Sequence, residues 1–382
     1  MDFHGGTAAY VSLDAVRHNF RKIREATPSD AKIMCIIKAD AYGHGAERLA
    51  PLYESLGAGA FGVATVGEAV SIRKTGTKLP ILILGYTPVQ EVKTLVEYGI
   101  TQSVFSSEYA MALSGAASAI RKTVDVHIKI DTGMSRIGFV AKNEADILGV
   151  RDAVTQPHLN PVGVFTHLSS ADINEREFTL SQLENFSYVS GRLCKLLGKK
   201  LLRHAANSAA IIDYPEFAFD MVRAGIILYG MAPSDKLIGR LGLLPVMKLR
   251  SEVSLVKEVD TGISVGYSRK FIAKKPTKIA TVQIGYADGF FRYGSLGGAT
   301  LTVCGKSAKT VGNVCMDQLM LDVSDVENVK MGDEVIIFGE GGRSAEALAS
   351  ELGTICYELT TTVGARVPRV YTENGKIVYI KN

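Results

Sequence analysis

From about residue 30 to about residue 235, short apolar or β-branched runs alternate with longer amphipathic segments. The runs at 33–38, 61–65, 80–84, 102–105, 124–130, 162–167, 201–207 and 221–228 are predicted to be strands. Helical spacing of apolar positions falls between them, for instance at 45–56, 66–75, 107–120 and 175–197. Eight strands, each joined to the next by a helical segment, predict an α/β barrel, a TIM-like (β/α)8 fold. An open doubly wound sheet would stop at about five or six strands, and no Gly-x-Gly-x-x-Gly follows the first strand. The barrel is the better reading.

Past residue 240 the texture changes. Alternating segments at 249–258, 278–284, 300–303, 319–323 and 334–338 are separated by Gly- and Asp-rich turns such as Gly332-Asp333. A mainly-β C-terminal domain is expected over 241–382, with a short helix at 344–352, after a barrel over 1–240. The opening run 9–13 also reads as a strand, and it could precede the barrel or pair with the later domain.

A length of 382 residues agrees with two domains, and 47% hydrophobic against 21% charged residues fits a globular protein with a large core. A net charge of +4, with no Lys/Arg block interleaved with aromatics, speaks against a nucleic-acid partner. Cys35, Cys194, Cys304, Cys315 and Cys356 are odd in number, scattered and never spaced Cys-x-x-Cys, so neither a disulfide framework nor a metal site is expected. The opening residues carry no charged stretch leading into an apolar one, and no uncharged apolar run reaches the roughly 18 residues that span a membrane. A cytoplasmic protein with no membrane partner is expected.

The chemistry concentrates where strands end. The first barrel strand delivers Lys38 to its own C-terminal end, and Ala39-Asp40-Ala41-Tyr42-Gly43-His44-Gly45 follows. Barrel enzymes keep catalytic groups there, and the most versatile use of such a lysine is a Schiff base with pyridoxal phosphate. The plain alternative is a solvated lysine just past a strand. Alternation along 124–130 puts Asp125, His127 and Lys129 on one wall, facing the lumen. A lysine there must find an anion or lose its charge. Asp131 could simply pair with it and close the barrel, while Arg136 brings a second cation to the same mouth. His167, His204 with Asn207-Ser208, and Arg223-Ala224-Gly225-Ile226 end further strands. Singly these read as a satisfied core histidine, a cap serine or a surface arginine. Together they gather cations, a hydroxyl and backbone N–H groups at one barrel end, the equipment that holds a phosphate.

With those residues in view, the chain resembles the pyridoxal-phosphate-dependent alanine racemases of fold type III over essentially its whole length. The matching segments, in order, are Lys38-Ala-Asp-Ala-Tyr-Gly-His-Gly, Lys129-Ile-Asp-Thr-Gly-Met-Ser-Arg136-Ile-Gly-Phe and Val265-Gly266-Tyr267-Ser268. Gly285-Tyr286-Ala287-Asp288-Gly289, Val314-Cys315-Met316-Asp317-Gln318 and Arg366-Val367-Pro368-Arg369 continue the match. The resemblance implies interconversion of L- and D-alanine by two bases on opposite faces of Cα. Lys38, which also carries the cofactor, would be one; Tyr267 of the second subunit in a homodimer would be the other. A tyrosine is a weak base at neutral pH, so His167 and Arg223 would form a hydrogen-bonded chain to it. Arg223 would also face the pyridine nitrogen. An arginine can only donate there, which limits delocalisation into the ring and suppresses side reactions. The phosphate would be held by Tyr42, Ser208, Gly225, Ile226 and Tyr357. Arg136 would contact the cofactor's phenolic oxygen and the carboxylate of the amino-acid substrate, which Met316 would also hold. In the family the residue at Lys129 is often carbamylated. Tyr286, Arg292 and Asp317 would line the access channel, although Tyr286 also suits an ordinary half-buried aromatic. D-alanine for cell-wall peptidoglycan is the implied use.

Two departures stand out: the chain has no tryptophan, and Phe290-Phe291-Arg292 lacks the proline usual before that arginine. A fold-type III decarboxylase would need a Cys-Glu-Ser-Gly-type loop and a Glu-Pro-Gly-Arg segment, neither of which occurs. A pyridoxal-phosphate carrier would be a single short barrel. A related serine racemase would carry a membrane-spanning segment, and a broad-specificity racemase an export signal. Slower turnover of serine is expected, because rejecting one added group is worth only ~1–3 kcal/mol.

Overall fold

The computed structural model describes residues 3, 5–173, 175–295 and 298–381; Met1, Asp2 and His4 of the opening stretch lie outside them. Strand β1 (Ala8–Ser12) leads into helix α1 (Leu13–Ala26), whose start is capped by Ser12 Oγ on the Ala15 N–H at 3.1 Å. Leu13, Val16, Phe20 and Ile23 form its buried stripe, spaced as a helix requires.

Eight parallel strands follow: β2 (Lys32–Ile36), β3 (Ala60–Val63), β4 (Ile81–Ile83), β5 (Ile100–Val104), β6 (Val124–Asp131), β8 (Leu159–Phe165), β9 (Leu202–His204) and β10 (Met221–Ala224). The two-residue β7 (Phe139–Val140) pairs only with the end of β6. The hydrogen-bonded order is β10-β2-β3-β4-β5-β6-β8-β9. The Asp220 N–H to Arg203 O bond (3.1 Å) and the Arg223 N–H to Ala206 O bond (2.9 Å) carry the seam between β9 and β10. The expected TIM-like barrel is therefore present. Its connecting helices are α2 (Lys38–Tyr42), α3 (Ala46–Ser55), α4 (Val66–Lys74), α5 (Val92–Glu97), α6 (Ser107–Ala119), α7 (Glu144–Val154), α8 (Arg176–Leu197) and α9 (Ser208–Asp213). Strands buried on both faces read as near-continuous apolar runs, which is why their sequence signal was strong. Seven of the eight predicted strands end early, by one to four residues. The first stops at Ile36 because Lys38 already begins a turn, and the last stops at Ala224, before Gly225 and a 3-10 turn at Ile226–Tyr229.

The second part is built from β11 (Met247–Val259), β12 (Ser264–Val265), β13 (Phe271–Ile272), β14 (Thr277–Val282), β15 (Thr300–Val303), β16 (Lys306–Thr310), β17 (Leu319–Asp322), β18 (Glu334–Phe338), β19 (Arg369–Glu373) and β20 (Lys376–Lys381). Helices α10 (Ala345–Glu351) and α11 (Cys356–Thr361) lie between β18 and β19. The sheet order is β14-β17-β16-β15-β18-β11-β1-β19-β20, and β14 returns to pair with β11, closing six of the strands on themselves. β1 thus belongs to this sheet, antiparallel to β11 (Tyr10 opposite Lys248) and parallel to β19 (Tyr10 opposite Val370). No helix among the described residues is long and apolar enough to cross a membrane.

Candidate active site

Lys38 sits one residue past Ile37, at the C-terminal end of the barrel's first strand, on an unusual turn. Ala39, Asp40, Ala41 and Tyr42 have φ of 51°, 50°, 56° and 54°: four successive non-glycine residues in the left-handed region. Each costs roughly 1–2 kcal/mol relative to right-handed backbone, so the surroundings must hold the turn. At its far end Gly43 N–H bonds Ala39 O (2.9 Å), Gly45 N–H bonds Asp40 O (2.8 Å) and Ala46 N–H bonds Asp40 Oδ1 (2.7 Å). At its near end the Ala39 N–H donates to Glu68 Oε1 at 2.6 Å. Burial and the Arg136 cation lower the proton affinity of the Lys38 amine, and Glu68 opposes them.

Arg223, on β10, is buried beneath the cavity. Its guanidinium donates to the carbonyls of His204 (2.9 Å), Thr166 (2.7 Å) and Ala205 (2.8 Å), and to Nδ1 of both His204 (3.1 Å) and His167 (3.3 Å). Burial pulls its proton affinity down to about 9, still above neutral pH. Donation from an arginine makes both Nδ1 atoms acceptors, so the hydrogen of each ring is on Nε2. For His204 that hydrogen points to His127 Nδ1 at 2.9 Å, and the His204 ring stacks on Phe165. For His167 it is left to donate elsewhere. Burial, then the Arg223 charge, holds all three histidines uncharged at neutral pH, His127 down to about 3.

Lys129 is buried on β6, and its amine donates to Ile130 O at 2.8 Å. The expected pairing with Asp131 does not form. Asp131 Oδ1 instead accepts the N–H groups of Gly133 (2.9 Å), Met134 (2.9 Å) and Ser135 (3.1 Å), closing its own loop. Burial first, then the Arg223 cation, pushes Lys129 down to about 7; Asp131 pulls the other way and Arg136 adds to the drop. Asp125, placed on the same wall by its alternation, lies at the opposite strand end, exposed and bonded by Asn160 (2.7 Å).

These groups surround a cavity of about 800 Å³, within the size range of small-molecule sites. Lys38, Tyr42, Lys129, Arg136, His167, Ser208, Arg223, Gly225, Ile226 and Tyr357 all line it. Four cationic side chains face only two carboxylates, Asp172 and Glu358, and Arg136 makes no hydrogen bond to another described residue. At one end the Gly225 N–H donates to Ser208 Oγ (2.9 Å), which leaves the serine hydrogen to donate into the cavity. A side chain at Gly225 would place its Cβ 3.2 Å from Tyr42 Oη and 3.4 Å from Ser208 Oγ, so glycine keeps a notch open between two hydroxyls. An excess of cations, an unpartnered guanidinium and a hydroxyl-lined notch fit a small phosphorylated group that a lysine can hold by its aldehyde. No group of three or more His, Cys, Asp or Glu side chains among the described residues could hold a metal ion.

Tyr267, Tyr286, Met316, Asp317 and Arg292 do not line this cavity within one chain. Four of them form a second cluster on the β-rich part. Tyr267 follows β12 and is 67% exposed, and its carbonyl accepts a bond from Asn313 Nδ2 (2.8 Å). Tyr286 N–H bonds Cys315 O (3.0 Å) and Ala287 N–H bonds Met316 O (3.0 Å), while Arg366 bridges Asp288 (2.8 Å) and Asp317 (2.7 Å). Met316 and Tyr286 are exposed there, as is Arg292 on a neighbouring turn. Glu68, Asn313 and the bridging role of Arg366 were not anticipated. Thr65-x-x-Glu68 reads from sequence as a helix start, which accounts for α4 but not for the bond to Ala39.

Comparison with known proteins agrees with this arrangement. Residues 11–233 match the family model for the alanine racemase N-terminal domain, and residues 246–371 match that for the C-terminal domain. Alanine racemase of Desulfovibrio desulfuricans is 45% identical over 366 residues, covering 96% of this chain and 98% of the relative. Alanine racemase 1 of Clostridium acetobutylicum is 42% identical over 378 residues, covering 98% and 97%. Among solved structures, alanine racemase of Clostridium difficile 630 superimposes with a TM-score of 0.93 at 40% identity, covering 100% of this chain and 99% of the other. The Bacillus anthracis enzyme with bound L-Ala-P superimposes at 0.92 with 34% identity, over the same shares. On the order of its motifs, its two-part fold and this similarity along its length, the chain belongs to the alanine racemase family.

Proposed function

We propose that the protein interconverts L- and D-alanine with pyridoxal phosphate held on Lys38, in a homodimer whose sites are shared. The observation that carries this is the cavity: a strand-end lysine beside cations in excess and a hydroxyl-lined notch, with the candidate second base outside it. Pyridoxal phosphate bound there supplies the electron withdrawal that acidifies the Cα–H bond of alanine. Everything else is work for this chain's side chains. Lys38, its proton affinity already lowered, takes or returns the α-proton on one face. Tyr267 of a second copy serves the other face, because within one chain it lies outside the cavity. The His167 Nε2–H, left free to donate because Nδ1 accepts from Arg223, would steady the tyrosine oxygen when it is charged. Arg223, a donor only, would keep the cofactor's pyridine nitrogen unprotonated. Ser208, Tyr42, Tyr357, Gly225 and Ile226 hold the phosphate. Arg136 and Met316 orient the substrate carboxylate, and Tyr286, Arg292 and Asp317 line the approach, Asp317 braced by Arg366.

Lys129, its proton affinity lowered to about 7, offers carbon dioxide a neutral amine at neutral pH. The neutral amine would add carbon dioxide and release one proton, leaving a carbamate anion there for Arg136. The barrel over 1–240 would carry the cofactor and the part over 241–382 would contribute Tyr267 and the approach residues. We assign the enzyme to the cytoplasm, supplying D-alanine for cell-wall peptidoglycan.

The test is L-alanine in D₂O with the pyridoxal-phosphate-loaded protein, followed by chiral separation and deuterium counting at Cα. D-alanine bearing α-deuterium, abolished by both Lys38→Ala and Tyr267→Phe, is expected, with serine turned over more slowly. Bound cofactor with no D-alanine, or release of carbon dioxide from the amino acid, would refute it in favour of a decarboxylase.

A further inference from the structure

Glu68 does not line the cavity, yet it holds the backbone next to Lys38. Its Oε1 accepts the Ala39 N–H at 2.6 Å, and its Oε2 accepts the N–H groups of Ala64 (2.7 Å) and Thr65 (3.2 Å). One half-buried carboxylate thus joins the end of β3 and the first turn of α4 to the residue that follows the lysine. Charge-assisted bonds to backbone N–H groups are short and strong, as needed where four left-handed residues would otherwise relax. Asp40 and the two glycines secure the far end of that turn through Ala46, Ala39 and Asp40 itself. At the near end, Glu68 supplies the side-chain contact.

We infer that Glu68 is a positioning residue for Lys38: it fixes the left-handed turn through which Lys38 and Tyr42 reach the same cavity. The inference rests on reading Lys38 as the cofactor-bearing lysine. A bland alternative is that Glu68 merely caps α4, since Thr65 and Glu68 form a reciprocal capping box. The two differ in what they touch. Among the described residues Thr65 Oγ1 accepts only the Glu68 N–H, at 3.2 Å, so Thr65→Ala weakens the cap and leaves the bond to Ala39. Glu68 is also the carboxylate that opposes burial and Arg136 at the Lys38 amine. Loss of its charge therefore moves the pH dependence of lysine reactivity, which loosening a helix cap does not.

The experiment uses the full chain without cofactor, as parent, Glu68→Gln, Glu68→Asp and Thr65→Ala. Hydrogen exchange is followed on the peptide spanning 38–46, and pyridoxal phosphate adducts trapped by borohydride are counted against pH. Glu68→Gln should speed exchange at Ala39 about tenfold and move the adduct midpoint to lower pH. Glu68→Asp, with the charge kept but drawn back, should speed exchange while leaving the midpoint, and it also serves if the Gln variant does not fold. Thr65→Ala should do neither. Exchange in the Glu68 variants matching the parent, or a Thr65→Ala profile matching Glu68→Gln, overturns the inference. A parent that forms no adduct at any pH overturns the reading of Lys38 instead, and exchange at Ala39 then decides on Glu68 alone.

Discussion

Removing the charge of Lys129 should make the protein more stable, and the gain should disappear in alkali. The amine is buried on β6 with Arg223 and Arg136 nearby and no ion pair among the described residues, and its proton affinity falls from the usual 10.5 to about 7. At 1.36 kcal/mol for each power of ten, that drop corresponds to about 5 kcal/mol of destabilisation once the amine is charged in the folded state. The sign follows from proton counts. Below pH 7 both folded and unfolded chains carry the proton, and the folded state bears the full penalty. Between 7 and 10.5 the unfolded chain keeps a proton that the folded chain has lost, so the penalty shrinks as pH rises. Lys129→Met keeps the unbranched shape and has nothing to titrate, but it gives up the 2.8 Å bond to Ile130 O, worth about 1 kcal/mol. A net gain of about 1–4 kcal/mol is expected at pH 6, falling to about zero near pH 10. Denaturant unfolding of parent and variant in carbon-dioxide-free buffer at both pH values measures it. At neutral pH, added bicarbonate should stabilise the parent and leave the variant unchanged. A variant less stable than the parent at pH 6, or a difference that ignores pH, would refute the reasoning.

Mixing inactive Lys38→Ala and Tyr267→Phe dimers under exchange conditions should restore about a quarter of the parental activity, because half the dimers become mixed and each regains one complete site. Activity that stays at zero would mean that both groups serve within one chain. Gly45→Ala should lower stability by about 2–4 kcal/mol, combining a left-handed penalty with overpacking. Gly45 has φ +93° and its Cβ would fall 1.7 Å from Tyr371 Oη, so adding Tyr371→Phe should recover part of the loss in thermal unfolding. Pyridoxal phosphate at a hundred times its Kd should stabilise the protein by about 2.7 kcal/mol, and Ser208→Ala, raising the Kd about tenfold, should cut that to about 1.4 kcal/mol. An unchanged midpoint for the parent would contradict the cavity assignment.

Much of this architecture is legible in the chain, for identifiable reasons. Barrel strands covered on both faces carry dense apolar runs, so all eight could be found within a few residues. Lys38, Ser208 and Arg223 were visible because polar residues at strand ends interrupt that pattern. What stayed hidden depends on shape rather than composition. Nothing in Ala39-Asp40-Ala41-Tyr42 announces left-handed backbone, since no glycine is among them. Lys129 and Asp131 are close in sequence with opposite charges, but the Thr132-Gly133-Met134-Ser135 loop captures the carboxylate first. The place of β1 depends on a partner strand some 360 residues away, Ala9 opposite Arg369, which no local signal encodes.

That last pairing has a consequence for how the protein is made. β1 leaves the ribosome some 360 residues ahead of its neighbour β19. At about 5–20 residues per second, roughly 20–70 s of synthesis separates Ala9 from the residue it faces. During that interval α1 can settle on the growing barrel and Ala8–Ser12 can pair with β11 on one side, while their other edge stays open. β1 and β19 thus act as a clasp that fastens after the barrel. A nascent chain stalled before residue 369 would hold an assembled barrel with one edge of β1 unpaired, and synthesis of β19 is what conceals it.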